Sequence, residues 1–134
     1  MGKFTSAVAQ QAKYNGKAAG GTLTGFSLRY NSGDKMRTTT TRGITAEVVT
    51  GDNLGNFISA KRIIAGGILL GPLGAFGGAL LRKNTTTAYI MLERAGQNIG
   101  YIEDSARKLA NLNKLARAIN ASANDPDNLA PGQK

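Results

Sequence analysis

TTTAYIMLERAGQNIGYIED, residues 85–104, reads as two strands joined by a tight turn. Residues 85–94 concentrate β-branched and aromatic side chains, AGQN (95–98) supplies the turn, and IGYIED (99–104) forms the return strand. A helix follows. Asp104 or Ser105 can cap a segment over about 105–122, in which Leu109, Leu112, Leu115, Ala116 and Ile119 form one apolar stripe. One hairpin cannot bury such a stripe. The helix therefore requires a larger sheet.

Upstream residues offer that sheet. In LTGFSLRY (23–30), Phe26, Leu28 and Tyr30 alternate with Ser27 and Arg29, the period of a half-buried strand. NSGD (31–34) has turn composition, and the polar, β-branched MRTTTT (36–41) suits an edge strand. ITAEVVT (44–50) alternates again, with Ile44, Ala46 and Val48 on one face. GDNLGN (51–56) reads as a loop and FISAKRII (57–64) as a further strand.

Between these strands and the hairpin lies KRIIAGGILLGPLGAFGGALLRK (61–83). Its nineteen uncharged residues approach a bilayer-spanning length, and Gly67, Gly71, Ala75 and Ala79 repeat every four residues as in close-packed membrane helices. Against a span stand Pro72 at its centre, the equal positive charge on both flanks, and the strands on either side. A span would separate two halves that each lack strands for a closed core. The stretch is expected to be a glycine-rich excursion of a folded soluble domain, with Gly67, Gly71, Pro72, Ala75 and Ala79 as a candidate interaction or membrane segment. A glycine-zipper span or hairpin over 63–81 is the alternative.

Residues 3–19 are expected to form one short helix ending near Asn15 and Gly16, with a thin apolar face. Residues 124–134, with two prolines, are expected to be a disordered tail. The expected organisation is a helical or flexible segment over 1–20, one β-rich domain over 21–123, and the tail. The fold class is α+β: a mainly antiparallel β-roll or barrel closed by a C-terminal amphipathic helix, with a short N-terminal helix.

Composition excludes much chemistry. The 134 residues contain no cysteine and no histidine, which removes disulfides, thiolate nucleophiles, Cys- or His-based zinc sites and histidine bases. GGILLGPLG lacks the lysine and hydroxyl that end a phosphate-binding loop. Glu103 and Asp104 suit a helix start, and Glu47 and Glu93 suit ion pairs with Arg94 or Lys61. No metal, cofactor or catalytic residue is expected, and the protein is expected not to be an enzyme. Residues 1–20 lack the apolar run of a secretory signal, and MGKFTS matches a myristoylation pattern only in outline. The expected location is cytoplasmic, with membrane association open.

Seventeen basic residues against eight acidic ones give a net charge of +9, and no acid precedes Asp34. Such a surface attracts anions. The candidate anion-binding face comprises Lys3, Lys13 and Lys17 near the N-terminus with Arg107, Lys114 and Arg117 on the helix.

Two stretches carry a likeness to known proteins: AGGILLGPLGAFGGALLRK (65–83) and the helix over 105–122 ending in AINAS. With the order of elements around them, they resemble small uncharacterised actinobacterial and actinobacteriophage proteins with a pleckstrin-homology-like domain. The resemblance covers under a third of the chain. It implies a bent β-sheet roll closed at one end by the C-terminal helix, and a phage source is open. It carries over no functional residue. The expected function is a non-enzymatic binding module whose basic surface recognises a protein partner or an anionic membrane surface; homo-oligomers are open. A small membrane protein and a non-specific nucleic-acid binder are the alternatives.

Overall fold

The structure is a computed structural model that describes residues 13–32, 35–54, 57 and 86–128. Seven antiparallel strands are described: β1 (Asn15–Ala18), β2 (Gly21–Thr24), β3 (Ser27–Ser32), β4 (Lys35–Thr40), β5 (Ile44–Thr50), β6 (Thr87–Arg94) and β7 (Gln97–Ser105). The α-helix α1 (Leu109–Ala123) follows a 3-10 turn at Ala106–Lys108. The strands follow the path β1-β2-β3-β7-β6-β5, and β4 pairs with β3 off that path. The sheet curls into a half-barrel, and α1 packs across its concave side against β1, β2, β5 and β6.

The β6–β7 hairpin forms where its composition places it. Ala95 (φ 55) and Gly96 (φ 80) occupy the two left-handed positions of the connecting turn, which suits the twist of paired strands. β6 is buried at five consecutive residues, 88–92. Ala88, Ile90 and Leu92 join the main core, while Tyr89 and Met91 enter a second cluster with Val49, Leu54 and Tyr101. Continuous burial marks a strand covered on both faces. The Tyr89 and Tyr101 rings meet edge to face at 5.8 Å.

At Asn31 and Tyr101 the β7 strand meets β3 through a single register pair. Gly100 allows this approach: a Cβ there would collide with the Asn31 carbonyl and the Tyr30 ring. The Asn98 amide donates to the carbonyls of Leu92 and Gly100, spanning the shift in register between β6 and β7.

The helix behaves as its stripe dictates. Leu112, Leu115, Ala116 and Ile119 are buried and Leu109 is half-buried against the core. Each fully buried leucine or isoleucine contributes about 1.5–3 kcal/mol of gross transfer free energy. The Ser105 hydroxyl accepts from the Arg107 N–H at 3.2 Å, so the cap is the serine. Asp104 belongs to β7 and is buried, accepting from the N–H groups of Ala19 (3.0 Å) and Ser105 (2.7 Å). Its expected place at a helix start is thereby corrected.

Further expectations change. Residues 15–18, taken with the N-terminal helix, are strand β1; pairing with β2 outweighs the weak helical pattern of a segment with so little to bury. The strand read across 23–30 is two strands, broken by the turn at Gly25 and Phe26. Residues 125–128, read as disordered tail, are fixed by side-chain bonds. Buried Asn128 donates to Thr41 Oγ1 at 2.8 Å and to the Ser122 carbonyl at 3.0 Å, and Tyr14 donates to Asp125. Phe57, read as the first residue of a strand over 57–64, is helical instead, and the rest of that strand, the excursion over 63–81, residues 1–12 and residues 129–134 lie outside the described residues.

Candidate anion-binding face

The six basic residues singled out from sequence fall into three groups. Lys3 lies outside the described residues, as do Gly67, Gly71, Pro72, Ala75 and Ala79. Lys13 is 3.7 Å from Asp125 and 5.3 Å above the Tyr14 ring. Its charge already has a carboxylate and an aromatic face as partners, which weakens its claim to bind an external anion.

Lys17, Arg107, Lys114 and Arg117 are all exposed. Asn111 brings two of the elements together: its side-chain amide donates to the Lys17 carbonyl at 2.9 Å, docking β1 against the first half of α1. Lys114 stands one turn beyond Asn111, and Arg107 lies in the turn that precedes the helix. Arg117 continues the exposed side of α1 toward its C-terminus. The helix sequence LANLNKLARAINASA contains no acid, so the only charges on its solvent face are the positive ones of Lys114 and Arg117.

Exposed Lys108 also belongs here, although the sequence reading omitted it. Its position just after the hairpin was visible, but the helix stripe alone does not assign it to either face. Buried Asp104 lies within its electrostatic reach. Burial pushes the Asp104 carboxyl up, yet the Ala19 and Ser105 N–H groups together with Lys108 outweigh it and hold the carboxyl below its ordinary 3.8. Glu103 borders the group on the other side, where its carbonyl accepts from the Gly20 N–H at 3.0 Å.

Asp125 is likewise held below 3.8, first by the Tyr14 hydroxyl, then by the Asp127 N–H and Lys13. The same bond pushes the Tyr14 phenol above 10.0, with burial adding to it. This contact ties the start of β1 to the end of α1, and it leaves Lys13 at the opposite end of β1 from Lys17.

No group of three His, Cys, Asp or Glu side chains that could hold a metal ion occurs among the described residues. Glu47 and Glu93 share a face of the β5–β6 pair, offset by two residues, since Glu93 faces Thr45 and Glu47 faces Met91. Arg94, expected to pair with one of them, instead turns its guanidinium to the carbonyls of Thr40 and Arg42 and to Thr39 Oγ1. Three oxygen acceptors at the strand ends satisfy the planar fork better than one exposed carboxylate.

No helix among the described residues is long and apolar enough to cross a membrane. No protein family, no curated protein and no solved structure matches the chain.

Proposed function

We propose that the protein is a non-enzymatic binding module, a pleckstrin-homology-like roll whose basic surface recognises an anionic surface on a protein partner or a membrane. The observation that carries this reading is the exposed basic group of Lys17, Arg107, Lys108 and Lys114 around the Asn111–Lys17 bond. The curled antiparallel sheet with a helix across its concave side supports the roll. The lack of histidine and cysteine supports a non-catalytic role. Nucleic-acid binding is less well supported, because all four tyrosines are buried and unavailable for base stacking.

The test is vesicle flotation with phosphatidylserine-containing and purely zwitterionic vesicles, run beside affinity capture from a cell lysate. Both are repeated with the triple variant Lys17→Glu, Arg107→Glu, Lys114→Glu. The expected result is binding to one anionic target, at least tenfold weaker in the variant because each reversal changes the local charge by two. Binding that survives the triple reversal, or no binding to either target, refutes the reading. A gel shift at low salt that also disappears in the variant reassigns the same face to phosphate backbones.

A further inference from the structure

Alternate residues of an edge strand turn their N–H and C=O groups away from the sheet. The edge strands of this protein differ in what meets those groups. On β1 the outward Lys17 carbonyl accepts from Asn111 (2.9 Å) and the following Ala19 N–H donates to Asp104 (3.0 Å). On β5 the Ile44 N–H reaches the Thr41 carbonyl (2.9 Å), and Ala46 exchanges both of its backbone groups with the Asn120 side-chain amide (2.8 and 2.9 Å). Asn120 thus stands in for one residue of a neighbouring strand.

Strand β4 is different. The bond from the Thr41 N–H to the Phe26 carbonyl, continued through the register, turns Lys35, Arg37 and Thr39 toward β3 and leaves Met36, Thr38 and Thr40 facing outward. Arg94 fills the Thr40 carbonyl. For the backbone groups of Met36 and Thr38 the described residues offer no counterpart, and residues 35–38 are exposed. Met36, at 43%, is the exposed large hydrophobic side chain of the described residues.

We propose that β4 is a strand-addition edge that accepts an extended acidic segment of a partner protein, paired through the main chain of Met36 and Thr38. Charge chooses the occupant. Lys35 and Arg37 lie on one face, Arg29 lies opposite Thr38 on the other, and neither β3 nor β4 carries an acid. A second copy is disfavoured. Antiparallel self-pairing of Met36 with Thr38 sets Arg37 against Arg37, and pairing Met36 with itself sets Lys35 against Arg37. The chain also lacks a spare acidic segment of its own: outside the described residues its single acid is Asp34. Basic residues on an edge deter neutral and basic strands, which leaves acidic ones admissible. Strand addition draws affinity from main-chain bonds and selectivity from alternate side chains. The site is separate from the helix face and stands whether or not that face binds.

The test uses the full chain and a fluorescein-labelled TETETETE peptide, with TKTKTKTK as control. Fluorescence anisotropy measures binding, and NMR hydrogen exchange reads the Met36 and Thr38 amides. The expected result is binding of the acidic peptide alone and slowed exchange at both amides. Thr38→Pro, which removes an outward donor without touching the β3 ladder, is expected to weaken binding about tenfold, the value of one backbone hydrogen bond. The pair Lys35→Glu with Arg37→Glu leaves the backbone intact and is expected to abolish binding. Binding insensitive to both β4 variants overturns the proposal, as does absence of protection at saturating peptide. Protection of the same amides by phosphatidylserine vesicles and not by peptide assigns the edge to a membrane and overturns it too.

Discussion

Among the described residues, strands β5 and β4 each pair with one neighbour in the sheet, β6 and β3 respectively, yet they live in different surroundings. β5 carries α1 along one face, contributes Val49 to a second cluster on the other, and has its outward Ile44 N–H and both backbone groups of Ala46 filled. β4 has residues 35–38 exposed, and among the described residues its outward bond falls at Thr40. A sheet edge is a row of unspent hydrogen bonds, and proteins ordinarily cover or blunt it. Here one edge is covered by a side chain that imitates a strand, and the other is blunted by charge. The first edge concerns stability, and the second is the one proposed for recognition.

The comparison breaks most readily in the core. Ile90→Ala, in the strand paired with β5, is expected to cost about 2–5 kcal/mol, because the buried site cannot fully collapse. Met36→Ala on β4 is expected to stay within about 0.5 kcal/mol. Urea denaturation of the two variants beside the parent measures both, and equal losses would remove the distinction. Next in size is Asn120→Ala, expected to cost about 1–3 kcal/mol because the Ala46 N–H and C=O lose their partner. Asn120→Leu should be no better, since the added apolar bulk satisfies neither group. If leucine restores stability, Asn120 acts by packing.

A pH series sharpens the closed edge further. Asp104 and Asp125 have folded values below the ordinary 3.8, so their contribution is complete above that value and is lost as the pH falls through the lower folded values. The melting temperature of the parent is therefore expected to fall below about pH 3.8. Asp104→Asn should show a shallower fall, since one of the two carboxylates is gone. On the alkaline side Tyr14 has a folded value above 10.0, so its bond to Asp125 holds below that pH and is lost as the phenol ionises above it. Tyr14→Phe should flatten that limb. The smallest effect belongs to Thr38→Pro. It is expected to change stability by no more than about 0.5 kcal/mol, against about 1–3 kcal/mol for Arg37→Pro, whose N–H faces β3. Thermal melts of the two proline variants check the alternation on which the open edge depends.

Several of these features were legible in the chain. The residue types at 85–104 announced the hairpin, and the ITAEVVT segment matches β5 as Ile44–Thr50. The helix stripe was read residue by residue, and MRTTTT was recognisable as an edge strand from its polarity. The candidate face was half legible. Arg107, Lys114 and Arg117 follow from helical spacing, whereas the join to Lys17 rests on an Asn111 bond across 94 residues of sequence. Lys13 looked equivalent to Lys17 until Asp125 was seen beside it. Asn120, Arg94 and Asn128 carry no local signal, because a polar side chain near the end of a helix or strand, or in a loop, looks the same whether it meets water or backbone.

The sequence by itself determined the alternation of the strands, the apolar face of the helix, the excess of positive charge and the absence of histidine and cysteine chemistry. Those properties are local or additive, so they can be read along the chain. The tertiary structure alone decided which backbone groups at the sheet edges are filled and which remain open. A hydrogen bond between residues 74 or 94 positions apart exists only once the sheet has curled and the helix has docked across it. That the described residues place no counterpart at Met36 and Thr38 is set in the same way, by which strands find neighbours after the chain has folded.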